Sequence, residues 1–152
     1  MKIIFLDIDG VLCVPGRKTF DPSCVDKLNR ITANSGAKLV ISSTWRLSCK
    51  NVKDFGALTA YLHSQGIKAD IIGLTPSHGT VDNVRGANGR GAEIKEWLDT
   101  TGIKLGVSEF VIIDDNGDMG ELIDSLVLTS HKTGLIEKNI DASLKVLGCA
   151  NE

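Results

Sequence analysis

The stretch that most constrains this chain is its opening, residues 1–12, MKIIFLDIDGVL. Ile3, Ile4, Phe5 and Leu6 form a short apolar run, and the run stops at Asp7-Ile8-Asp9-Gly10. Such a run, bounded by a turn signal, reads as a buried strand. A buried strand that ends in two carboxylates is costly, because unpaired charge at the edge of a core is destabilising or shifts its own pKa. An Asp-Gly turn leading straight into solvent would avoid that cost. A divalent cation held by the acids would resolve it. The rest of the chain decides between the two.

Strand and helix signals alternate from here to the end. Asp21-Pro22 reads as an N-cap followed by proline in the first turn, and Cys24, Val25, Leu28 and Ile31 supply the apolar stripe of a helix that Ser35-Gly36 stops. Residues 37–41 are a second strand, running into Ser42-Ser43-Thr44-Trp45-Arg46. A helix over 54–65 and a strand over 69–74 follow. Residues 75–91 are the longest irregular stretch, a length that in a compact domain usually signals function or mobility. A helix over 92–101, with Gly102 as its stop, leads to a strand over 110–113 that ends in Asp114-Asp115. A short helix (119–123), a strand (126–128) and a final helix (135–147) complete the chain. This alternation predicts a three-layer α/β/α, Rossmann-like fold with a mostly parallel sheet of about five strands. The 152 residues are expected to form a single domain, residues 1–152.

Composition narrows the partners. The net charge of −2 does not require nucleic acid or an anionic membrane, although a local basic patch can sit on a neutral domain. No apolar stretch approaches the roughly 20 residues needed to span a bilayer. The charged, strand-like amino terminus does not read as a secretion signal. Cys13, Cys24, Cys49 and Cys149 are irregularly spaced and form no CxxC. They read as free thiols in a reducing cytosol, so the expectation is a cytoplasmic protein with no membrane partner.

Ligands of open parallel α/β sheets bind outside the carboxyl ends of the strands. Three predicted strands end there in Asp7-x-Asp9, in Ser42-Ser43-Thr44 and in Asp114-Asp115. Turn formation or helix capping explains each group alone, but not all three together. Clustered carboxylates repel one another, and Mg²⁺ with oxygen ligands removes that conflict and shields a phosphate from an anionic nucleophile. One aspartate can then attack phosphorus, and an acid two residues on can move the proton. Hydroxyls and a cation are needed for the phosphoryl oxygens.

In these residues the chain resembles the haloacid dehalogenase (HAD) superfamily of phosphohydrolases. Asp7-Ile8-Asp9-Gly10-Val11-Leu12 matches the first motif of that family, Ser42 or Ser43 the second, and Asp114-Asp115 the fourth. The resemblance implies that Asp7 is the nucleophile and a Mg²⁺ ligand. It implies that Asp9 is the general acid/base and binds the ion through its backbone carbonyl, and that Asp114 and Asp115 complete the metal site. The third motif, usually a lysine, is the poorest match. Arg90 is the choice for the phosphate clamp, with Arg85 and Lys95 as alternatives; an arginine fork suits phosphate. An acid at Asp9 fits phosphate-ester hydrolysis rather than dehalogenation.

The gap at 13–20 is too short for a cap domain, and the elements between the second and third motifs read as core, so the site is expected to be uncovered. Residues 42–46 and 90–98 further resemble small HAD domains of RNA-repair proteins. That likeness implies a nucleic-acid terminal phosphate, of RNA or DNA, as substrate, and then Trp45 could stack on a base and Arg46 touch a phosphate. The other reading of these two residues is that Trp45 packs as a core aromatic and Arg46 caps a helix end or pairs with an acid. A phosphoprotein or small-metabolite phosphatase, and a non-catalytic Mg²⁺/phosphate-binding module, are the alternatives. The oligomeric state is left open.

Overall fold

The computed structural model describes residues 1–14, 19–78 and 89–149. Five strands form one parallel sheet in the order β3-β2-β1-β4-β5. They are β1 Lys2–Leu6, β2 Lys38–Ile41, β3 Ile71–Leu74, β4 Glu109–Asp114 and β5 Leu126–Leu128. The helices are α1 Pro22–Ser35, α2 Val52–Ser64, α3 Gly89–Trp97, the short α4 Ile103–Leu105 and α5 Glu137–Val146. Single 3₁₀ segments cover Thr44–Ser48 and Gly120–Ser125.

Strand residues alternate between two cores, as a period of two requires when both faces are covered. Ile4, Leu6, Leu39, Ile41, Val111 and Ile113 pack with Leu28 and Ile31 of α1, Leu62 of α2, and Ile140 and Leu144 of α5. Ile3, Phe5, Val40 and Ile112 face the other way, onto Ile94 and Trp97 of α3 and onto Met119. Phe5 meets Trp97 edge-on at 5.4 Å between ring centroids. The three-layer expectation is met.

Local signals set the helix ends. The Asp21 side chain accepts from Ser23 N–H, Pro22 opens α1, and Gly36 closes it at φ 71°. The expected stop at Gly102 is a correction. The helix continues from α3 through a wide-turn segment, Leu98–Gly102, into α4 and ends at Gly106, where φ is 69°. Gly102 sits inside the helix against Trp97, where a Cβ would lie 3.4 Å from the indole. Among the described residues no helix is long and apolar enough to cross a membrane.

The chain builds outward from β1 to β2 to β3, then returns to place β4 on the other side of β1. The sheet therefore changes direction between β1 and β4, where open α/β sheets bind ligands.

Candidate active site

Register brings the site together. Leu6 lies opposite Ile41 on one side and Ile113 on the other. The next residue of each strand, Asp7, Ser42 and Asp114, is therefore level with its neighbours. The ladder continues through them: Asp7 N–H donates to Ile113 O at 3.0 Å, Ser42 N–H to Leu6 O at 3.0 Å, and Thr129 N–H to Asp114 O at 2.9 Å. All three share the face of Phe5, Val40 and Ile112, which is the face that α3 covers.

Asp7, Asp114 and Asp115 each offer a carboxylate oxygen, and these oxygens lie within 4.8 Å of one another. Asp7 and Asp114 are buried; Asp115 is half-buried. Gly10 makes room for Asp115: its φ of 82° favours glycine, and a Cβ there would overlap the Asp115 carboxylate. The carbonyl of Gly10 accepts from Thr129 Oγ1 at 2.7 Å, which pins the turn after β1 to the end of β5.

Arg90, in the first turn of α3, completes the cluster. Its Nη1 lies 2.6 Å from Asp114 Oδ2 and 3.1 Å from Asp7 Oδ1. Burial opposes the guanidinium charge, but Asp114 and Asp7 outweigh it and raise the Arg90 pKa. Burial first, and Asp114 second, push Asp7 up to about 8. Burial also raises Asp114 against the pull of Arg90. One guanidinium thus does not neutralise the carboxylates. A hard, doubly charged ion with oxygen ligands fits this donor set.

The start of α3 is held from the loop after β4. Arg90 N–H donates to Asp118 Oδ2 at 3.1 Å, and Gly91 N–H donates to Asp118 O at 3.0 Å. A Cβ on Gly91 would collide with the Met119 backbone. Asp118 was not singled out by sequence reasoning. The signal that points to it is an acid placed where a helix N-terminus leaves donors unpaired.

The two serines divide. Ser43 Oγ accepts from Trp45 N–H at 3.2 Å and caps the 3₁₀ turn. Ser42 Oγ is fully buried and has no hydrogen-bond partner among the described residues. Asp9 lies outside the three-carboxylate cluster. Its Oδ2 accepts from the Trp45 indole N–H at 3.0 Å, and its Oδ1 from the Cys13 thiol at 3.4 Å. Burial, reinforced by Asp9, pushes that thiol up to about 12, so it stays a donor.

Of the two readings of Arg46, the contact with a substrate phosphate is corrected and the pairing with an acid holds: the side chain is buried inside the protein and pairs with Glu93 of α3 at 3.0 Å. It also donates to the carbonyls of Ser42, Ser43, Thr75 and Pro76. Glu93 in turn accepts from His78 N–H at 2.8 Å. Trp45 packs against Phe20 and stacks on Tyr61, with centroids 5.6 and 5.9 Å away. The ring is half-buried against these two side chains. Lys95 is exposed and pairs with Asp99 at 3.1 Å, as a solvated helix charge does. Arg85 and most of the 75–91 loop lie outside the described residues.

The model of the family described as the HAD domain in Swiss Army Knife RNA repair proteins matches residues 3–140. The chain belongs to this family. The match includes every site residue described above. No curated protein and no solved structure matches the chain. Membership of a HAD family supports a hydrolase of the phosphatase type, and the largely buried aspartate cluster is compatible with one.

Proposed function

We propose that this HAD domain is a Mg²⁺-dependent phosphomonoesterase acting on the terminal phosphate of a nucleic acid. One observation carries the reading: three carboxylates at the ends of β1 and β4 lie within 4.8 Å of one another, and Arg90 bridges two of them. Asp7, Asp114 and Asp115 would hold the ion, with the backbone carbonyl of Asp9 as a further ligand. Bound there, Mg²⁺ relieves the carboxylate repulsion and shields the phosphate's charge from an anionic nucleophile.

The chain's own groups supply the rest. An Asp7 carboxylate oxygen attacks phosphorus, and the bond to the ester oxygen breaks as the new one forms. Asp9 gives its proton to the departing oxygen. Asp9 then takes a proton from a water that attacks the same phosphorus, which frees Asp7 and releases inorganic phosphate. Ser42 Oγ, a buried hydroxyl without a partner among the described residues, donates to a phosphoryl oxygen. The Arg90 guanidinium binds the transferring group; its Nε is likewise buried without a partner among the described residues.

The family description supports a nucleic-acid end as substrate. So does the short connection between β1 and α1, residues 7–21, which leaves no room there for a cap domain. The four free thiols suit a reducing compartment such as the cytoplasm. The test is phosphate release, with and without Mg²⁺, from 3′-phosphorylated RNA, 3′-phosphorylated DNA, their 5′-phosphorylated counterparts, phosphopeptides and p-nitrophenyl phosphate. Mg²⁺-dependent release with a polynucleotide end preferred is expected. Preference for phosphopeptides would overturn the substrate assignment, and no release from any ester would favour a binding module.

A further inference from the structure

Among the described residues of the site, Asp9 is the acid that neither belongs to the carboxylate cluster nor pairs with Arg90, and both of its oxygens are nonetheless occupied. The stronger contact is the indole N–H of Trp45 on Oδ2, at 3.0 Å. The thiol of Cys13 on Oδ1, at 3.4 Å, is a weak donor. Trp45 is itself fixed from several directions. Its backbone N–H is held by Ser43 Oγ. Its ring packs against Phe20 and lies nearly parallel to Tyr61, at an interplanar angle of 25°. Tyr61 and Phe20 also meet edge-on. A bicyclic ring fixed in this way has one polar atom, and that atom is spent on Asp9. A ring that served only as core filling would not need the indole nitrogen to face a carboxylate.

We propose that Trp45 is a positioning residue for Asp9, holding the carboxylate in the orientation from which it transfers a proton to the leaving oxygen. The inference rests on the reading of Asp9 as the group that moves the proton, and it assigns Trp45 to catalysis through Asp9 rather than to base stacking. A displaced or rotating carboxylate would still be present but badly aimed, and misplacement of a catalytic group by about 1 Å costs on the order of 10²-fold. The loss falls on leaving groups that need the proton. An alkoxide is a poor leaving group and depends on protonation, whereas p-nitrophenolate leaves without it.

The experiment compares kcat/KM for an alkyl phosphate and for p-nitrophenyl phosphate, since that ratio covers the step in which the leaving group departs. Trp45→Phe is expected to lower the alkyl value about tenfold or more and the p-nitrophenyl value by less than about threefold, part of the roughly 10²–10⁴-fold that general acid catalysis supplies. Where the phenyl ring does not support folding, Trp45→benzothienylalanine keeps the bicyclic shape and removes only the N–H donor, with the same bias expected. Tyr61→Leu, which keeps the N–H and removes the stack, is expected to lower the melting temperature with a smaller bias between the two esters. Equal losses on both esters, or no loss on either, in the Trp45 variants would overturn the inference. Asp9→Asn is expected to show the same bias more strongly. If it shows none, the reading of Asp9 falls and the inference falls with it; if only the Trp45 variants lack the bias, the inference alone falls.

Discussion

Asp7 is pushed up to about 8 from an ordinary 3.8, first by burial and then by the neighbouring Asp114. The folded, metal-free protein therefore keeps a proton on this carboxyl that the unfolded chain has already released. By linkage, the stability from this group is complete below 3.8 and is lost as the pH rises through about 8. Asp114 is shifted in the same direction, with burial again the first cause. We expect the melting temperature of the metal-free protein to fall as the pH rises from 5 to 8, roughly the window between those two values. Asp7→Asn is expected to flatten that slope and to melt a few degrees higher than wild type at the upper end. Saturating Mg²⁺ should raise the wild-type melting temperature by mass action and raise that of Asp7→Asn much less. Thermal melts of both proteins in EDTA and in Mg²⁺ check this; parallel pH slopes and equal Mg²⁺ shifts would contradict it.

The elements that carry the site are tied together by a buried ion pair. Arg46, in the turn after β2, and Glu93, in α3, are almost completely buried and 3.0 Å apart. Arg46 also gathers carbonyls from the ends of β2 and β3. The pair therefore links the segment bearing Ser42 to the helix bearing Arg90. Removing one partner leaves a buried charge uncompensated, at about 3–5 kcal/mol. Glu93→Ala is expected to lose that much stability in urea unfolding and to release phosphate more slowly; a loss below about 1 kcal/mol would show the link to be unimportant. The chain alone left Arg46 open between a phosphate contact and pairing with an acid, and it did not name Glu93 as that acid: charged residues are rarely fully buried, and the partners stand 47 positions apart. Trp45 was singled out for its aromatic face, but the contact that distinguishes it comes from its nitrogen. The stop at Gly102 failed for another reason: a glycine close-packed against Trp97 looks, in sequence, like a glycine that ends a helix.

At the scale of the molecule, what was legible were features that repeat along the chain. Apolar strands with polar carboxyl ends, alternating with amphipathic helices, specify a parallel sheet and put Asp7, Ser42 and Asp114 on one edge. The strand order placing β1 between β2 and β4 follows from that alternation together with tertiary packing, and it turns three distant segments into one cluster. Asp118 and Glu93 were not singled out because their roles depend on which helix end or buried cation lies beside them. The account as a whole depends on Asp7 being the group that attacks phosphorus. The direct measurement is Mg²⁺-dependent phosphate release by wild type and by Asp7→Asn, with the circular dichroism of both recorded to show that each is folded. The account predicts that wild type turns over in Mg²⁺ and that folded Asp7→Asn is slower by at least about 10³-fold, as for removal of a covalent nucleophile. Folded Asp7→Asn releasing phosphate at the wild-type rate would contradict it.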